Sequence, residues 1–143
     1  LRLTGCHLVV AGRHENKQAI LRSLGIEARP AGEVQDREWD VVVEATGSAE
    51  GFQAAMTHVR PRGTLVLKST TAARATFDLA PLVVNEVTVV GSRCGPFPPA
   101  IRALAEGRVR VEPLISEVFD LSEGVAAMRR AAEPGVLKVL LRI

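Results

Sequence analysis

Residues 39–47 read WDVVVEATG. Three successive valines in a short apolar run, ended by a Thr-Gly pair, mark a buried strand and the turn that leaves it. Ser48 stands where its side chain caps a helix over residues 49–59, which ends before Pro61 and Gly63. A further strand follows at residues 64–68. The same alternation extends in both directions. Upstream, residues 6–11 (CHLVVA) are an apolar, β-branched run between Gly5 and Gly12. Residues 15–24 then place Asn16, Ala19, Ile20 and Leu24 on one helical face, and Gly25 stops the helix. Residues 26–29 are extended and 30–38 form a polar loop. Downstream, a Ser/Thr-rich turn and a mixed stretch precede a strand at residues 87–91 (VTVVG). Pro98-Pro99 open a helix through Glu106, with Gly107 at its end. Residues 109–119 are extended, 122–132 form a helix capped by Ser122, and 137–143 form a last strand. Strands alternating with helices across short loops predict an α/β fold on a parallel sheet.

Composition narrows the function classes. The 143 residues suffice for a domain with a continuous core, and 47% hydrophobic with 24% charged residues is a globular balance. With 18 Lys and Arg against 16 Asp and Glu, the formal net charge is +2. That leaves no basic face for nucleic acid and no polybasic anchor for a membrane. No apolar run reaches the length of a bilayer span. Cys6 and Cys94 fit neither a disulfide framework nor a metal-ligand spacing, and read as reduced thiols in a cytoplasmic protein. No signal-peptide pattern is visible. The sequence opens Leu1-Arg2-Leu3-Thr4-Gly5 and runs at once into a strand, which suggests a start in the middle of something longer.

Residues 6–25, DVVVEATG at 40–47, VRPRGTLVL at 59–67 and NEVTVVGSR at 85–93 resemble, in that order, the nucleotide-binding half of medium-chain, zinc-dependent alcohol dehydrogenases. The closing stretch PLISEVFDLSEGVAAMRRAAEPGVLKVLL, residues 113–141, is similar to the carboxyl-terminal signature of that family. The resemblance implies an incomplete Rossmann-type, doubly wound parallel sheet that lacks its first strand and glycine-rich loop. Residues 1–5 would be the end of the helix after that loop. Residues 1–108 would form a partial dinucleotide-binding domain, and 109–143 a segment returning toward an absent catalytic domain. In the strand order 3-2-1-4-5-6 the first strand is central, so the strands at 6–11 and 40–45 lose their common neighbour. The implied chemistry is hydride transfer between an alcohol or polyol and a nicotinamide. Zinc is expected only in a full-length relative, and the isolated chain is expected not to turn over.

The resemblance also assigns residues. The position that accepts the adenosine ribose hydroxyls, usually acidic, is Gly12, followed by Arg13 and His14. A missing carboxylate and an adjacent guanidinium suit a 2′-phosphate, with Lys17 adding a second charge, so NADP is favoured over NAD. The alternative for Arg13 and Lys17 is a solvated basic helix start. Thr46-Gly47 falls beside the nicotinamide ribose and is equally a helix-entry turn, with Gly47 supplying backbone freedom. Backbone groups of residues 67–69 and 91–93, including Ser69, Ser92 and Arg93, fall where relatives bind the carboxamide. Arg93 could instead form a surface ion pair. Lys138 matches a basic position directed at the pyrophosphate, or is an outward-facing charge.

Other chemistries find less support. His7, His14 and His58 have no partner at zinc-ligand spacing. Glu44 reads as a partly buried family residue rather than a general base. Ser48, Ser69 and Thr70 lack a Gly-x-Ser-x-Gly turn. A methyltransferase-like domain would also need a glycine loop and is opposed by Arg13. A zinc-free quinone reductase branch, and a non-catalytic module binding dinucleotide or forming a homodimer through the edge strand at 86–91, remain as alternatives.

Overall fold

In a computed structural model, which describes residues 1–34, 38–70 and 76–143, the WDVVVE run forms a strand and its neighbours follow in the expected alternation. The chain divides into two units, residues 33–95 and residues 1–32 with 96–143.

In the first of these, β3 (Trp39–Glu44), α2 (Ala49–His58), β4 (Val59–Leu67), α3 (Ala80–Val84) and β5 (Thr88–Gly91) build a parallel sheet ordered β3-β4-β5. The register sets Glu44 against Leu67 and Leu67 against Gly91, so all three strands finish in line. Leu65 is fully buried and packs with Ala55 and Met56 of α2, and Val42, Phe52, Leu67, Leu82 and Val87 close around them. Phe52 also meets Phe77 with ring centroids 4.4 Å apart. The other face of β3 is open, with Val41 53% and Val43 37% exposed. β4 begins at Val59 rather than residue 64, because Trp39 already pairs with Val59 and the register then shifts. Pro61 and Gly63 fall in that shift, where a strand tolerates them.

The second unit contains β1 (Val9–Gly12), α1 (Glu15–Ser23), β2 (Glu27–Pro30), α4 (Phe97–Ala105), β6 (Ile115–Asp120), α5 (Gly124–Ala131) and β7 (Lys138–Arg142). β1 pairs with β2 and β6 with β7, both in parallel. Among the described residues β1 has no ladder partner but β2 and β3 none but β4, the arrangement expected of a Rossmann-type sheet without its central strand. Residues 2–4 form a short 3-10 turn. No helix among the described residues is long and apolar enough to cross a membrane.

Besides the start of β4, and of β1, which begins at Val9 rather than Cys6, three further local expectations change. On α1 the buried side chain is Gln18, 4% exposed, while Ala19 is exposed. Gln18 reaches back to donate to the Gly12 carbonyl at 2.9 Å, and Arg22 donates to both Gln18 Oε1 and the Ala28 carbonyl at 3.3 Å. The turn before α5 is capped by Asp120, not Ser122. Its carboxylate receives the Glu123 N–H, and the Glu123 carboxylate receives the Asp120 N–H, a reciprocal capping box. Residues 109–119 are not wholly extended, since a 3-10 turn occupies Glu112–Leu114.

Helices α1, α3 and α4 all end in the same double hydrogen bond. Gly25 and Ile26 donate to Arg22 and Leu21, Gly107 and Arg108 to Leu104 and Ala103, and Glu86 and Val87 to Val83 and Leu82. This closure needs a left-handed residue, normally glycine. α3 uses Glu86 at φ 50° instead. The Glu86–Arg62 pair, 3.7 Å apart and exposed, offsets little of that strain. Glu86→Gly is therefore expected to stabilise the chain by about 0.5–1 kcal/mol, read as a higher urea midpoint at unchanged slope.

Candidate functional site

Open α/β sheets bind ligands at the carboxyl ends of their strands, and most of the predicted residues fall there. In one unit, Gly12 ends β1, Arg13 and His14 form the turn, and Lys17 lies in the first turn of α1. Arg13, His14 and Lys17 are all exposed, and their side chains have no hydrogen-bond or ion-pair partner among the described residues. The nearby acid Glu15 is engaged by Arg22. Lys138, the first residue of β7, is exposed.

In the other unit the carboxyl edge is tied together around one side chain. Glu44, the last residue of β3, is 5% exposed. Its Oε1 accepts the Thr46 N–H at 2.6 Å, the Thr46 hydroxyl at 2.7 Å and the Gly47 N–H at 3.2 Å. The Ser69 hydroxyl also favours the charged form of this carboxylate. Gly47 N–H is shared with Ser69 Oγ at 2.8 Å. The Thr46 hydroxyl oxygen in turn accepts the Ser48 N–H at 3.2 Å, and Ser48 Oγ caps α2 by accepting the Gly51 N–H at 3.0 Å. Helix and turn meet so closely that a Cβ on Gly51 would lie 1.8 Å from Thr46 Oγ1.

The rest of this edge is equally committed. Lys68 N–H donates to the Glu44 carbonyl and Ser92 N–H to the Leu67 carbonyl, each at 2.9 Å. The Lys68 ammonium donates to the Arg93 carbonyl. Hence Thr46, Gly47, Ser69, Ser92 and Arg93 gather at one edge, yet the Ser92 N–H already serves the sheet. The Arg93 guanidinium forms no ion pair among the described residues. What the sequence reading missed is Glu44's depth. The available signal was an acid at the end of a valine strand directly before Thr, Gly and Ser.

A cleft of about 290 Å³ lined by Cys6, His7, Leu8 and Glu27 lies at the amino ends of β1 and β2, the wrong edge for this fold's ligands. Its His7 and Glu27 side chains make a 3.1 Å contact.

Residues 1–106 match the zinc-binding dehydrogenase family. The chain belongs to that family. Relatives include a protein of Rhizobium meliloti provisionally named D-xylulose reductase, 30% identical over 139 residues, which are 95% of this chain and 40% of that one. D-arabinitol dehydrogenase 1 of Uromyces fabae is 31% identical over 110 residues, 73% of this chain and 31% of that one. A crystal structure from Sinorhizobium meliloti, described as a zinc-binding dehydrogenase bound to NADP, superposes with TM-score 0.85 at 22% identity. It covers 99% of this chain and 47% of that one. The chain thus spans less than half the length of these relatives, and the likeness places its α/β fold among Rossmann-containing dehydrogenases.

The family's name implies zinc, and the described residues do not fit it. No three His, Cys, Asp or Glu among them come together as a ligand set, and Cys6 and Cys94 are exposed free thiols. No reaction step is assigned to a metal in this chain.

Burial pushes the Glu44 carboxyl up, but hydrogen bonds from the Thr46 hydroxyl and N–H, the Ser69 hydroxyl and the Gly47 N–H outweigh it and hold it below its ordinary 4.5. A depressed folded value means the stabilisation is complete above 4.5 and is lost as pH falls through the lower folded value. Circular dichroism of acid unfolding is expected to show a steeper loss for the wild type than for Glu44→Gln in that window.

Proposed function

We propose that this chain is the dinucleotide-binding and carboxyl-terminal part of an NAD(P)-dependent alcohol or polyol dehydrogenase, with NADP(H) preferred to NAD(H). In this reading residues 1–108 are the partial nucleotide-binding domain, and 109–143 return toward a catalytic domain that supplies the hydride chemistry. The observation that carries it is the end of β1. Gly12 stands where an acid would repel a 2′-phosphate, and Arg13 and Lys17 are exposed cations with no partner among the described residues. Thr46, Gly47, Ser69, Ser92 and Arg93 are the proposed nicotinamide-side contacts, and Lys138 a pyrophosphate contact. The relatives' names point to sugar alcohols as the substrate class. The two free thiols support a reducing compartment such as the cytoplasm. Neither nucleic acid nor a membrane surface enters the proposal.

Calorimetric titration tests this reading. NADPH is expected to bind more tightly than NADH, and Arg13→Ala to weaken NADPH by about tenfold while leaving NADH nearly unchanged. Equal affinities in the wild type, or an Arg13→Ala variant with undiminished preference, would overturn the NADP assignment. With zinc and an alcohol added, the isolated chain is expected to show no dehydrogenase turnover.

A second reading, an assembly module, is favoured by β5. It pairs only with β4 among the described residues, and Val89 and Val90 are each 43% exposed. An open edge strand with no charge over Thr88–Gly91 invites a second copy of itself, giving a homodimer through residues 86–91. Size-exclusion chromatography across a concentration series is expected to show a dimer that Val90→Lys converts to monomer. A monomer at every concentration excludes this mode.

A further inference from the structure

We propose that Glu44 is the positioning residue of this edge: its buried carboxylate gathers the Thr46 and Gly47 amides and the Thr46 and Ser69 hydroxyls, and so sets the surface offered to the nicotinamide half of the ligand. The inference rests on the dinucleotide reading above.

The argument begins from cost. A carboxylate 5% exposed at the end of a valine-rich strand is unfavourable unless its oxygens are satisfied, and an aliphatic side chain would suit the core side of β3 better. No cation pairs with Glu44 among the described residues. Its compensation comes from the two chain segments leaving β3 and β4, namely Thr46 and Gly47 after one strand and Ser69 after the other. A carboxylate, which only accepts, holds both kinds of donor, backbone N–H and hydroxyl, at once and fixes the direction of each. Both hydroxyls are thereby oriented: Thr46 Oγ1 gives its proton to Glu44 and accepts from Ser48 N–H, and Ser69 Oγ accepts from Gly47 N–H. The cap of α2 is locked through the same chain. Glu44 touches no ligand itself. It decides which lone pairs and carbonyls of the turn remain available outside.

The experiment measures NADPH and adenosine 2′,5′-bisphosphate, the latter carrying only the half assigned to Arg13. Glu44→Gln is expected to lower NADPH affinity about tenfold or more, and to leave the bisphosphate affinity unchanged. Glu44→Asp, which keeps the charge but draws the carboxylate back from the turn, is expected to shift NADPH in the same direction by less, and carries the test by the same readouts if Glu44→Gln does not fold. In nuclear magnetic resonance spectra without ligand, the Thr46 and Gly47 amides are expected to move and to exchange faster in Glu44→Gln, while core amides such as Leu65 stay protected. A parallel fall in both ligands, or unmoved Thr46 and Gly47 amides, would overturn the positioning role. A wild type that binds neither compound overturns the dinucleotide reading instead, and the amide result still decides whether Glu44 holds the turn.

Discussion

A parallel pair of strands cannot be closed by a tight turn, so every ladder in this protein depends on a helix that crosses between its two strands. β1–α1–β2, β3–α2–β4, β4–α3–β5 and β6–α5–β7 all obey this rule. One consequence is geometric. Within each sheet all strands finish at the same edge, and the next helix starts there. Arg13-His14 and Thr46-Gly47 therefore hold equivalent places, just after a strand and just before a helix. The first turn leaves its side chains unspent, whereas the second is bound inward by Glu44 and Ser48.

The two units are held by different forces. In residues 33–95 an apolar cluster around Leu65 buries the helix side of the sheet, and the polar knot at Glu44 closes one end of it. The β1–β2 pair has only four residues in each strand, and an isolated two-stranded sheet is marginal in water. There the bond from Gln18 to Gly12 and the Arg22 bonds to Gln18 and Ala28 tie helix to both strands, so the cohesion is directional rather than merely hydrophobic.

The alternation of β-branched runs with helices made the fold class readable, because a parallel α/β strand carries an unbroken apolar run, and it does so here even though Val41 and Val43 lie on an open face. Ser48 was also readable as a cap, since its role depends only on the next three residues. Gln18 was not: a polar residue scores against a buried face, and its burial depends on a carbonyl supplied by a different element. The Asp120 cap required knowing where β6 ends. Helix α3 (APLVV) has no polar face and so no helical period. The candidate residues were legible as positions at strand ends, but Glu44's role was not, because its partners come from the ends of two strands that pair only after folding.

Cys6 and Cys94 are both exposed and free. On a chain with an open strand edge, this provides two independent routes to the same molecular mass. One is a covalent bridge made by air oxidation during storage, and the other is reversible strand pairing. Only the second persists in excess dithiothreitol and weakens on dilution, so the redox state of the sample decides what an elution volume means.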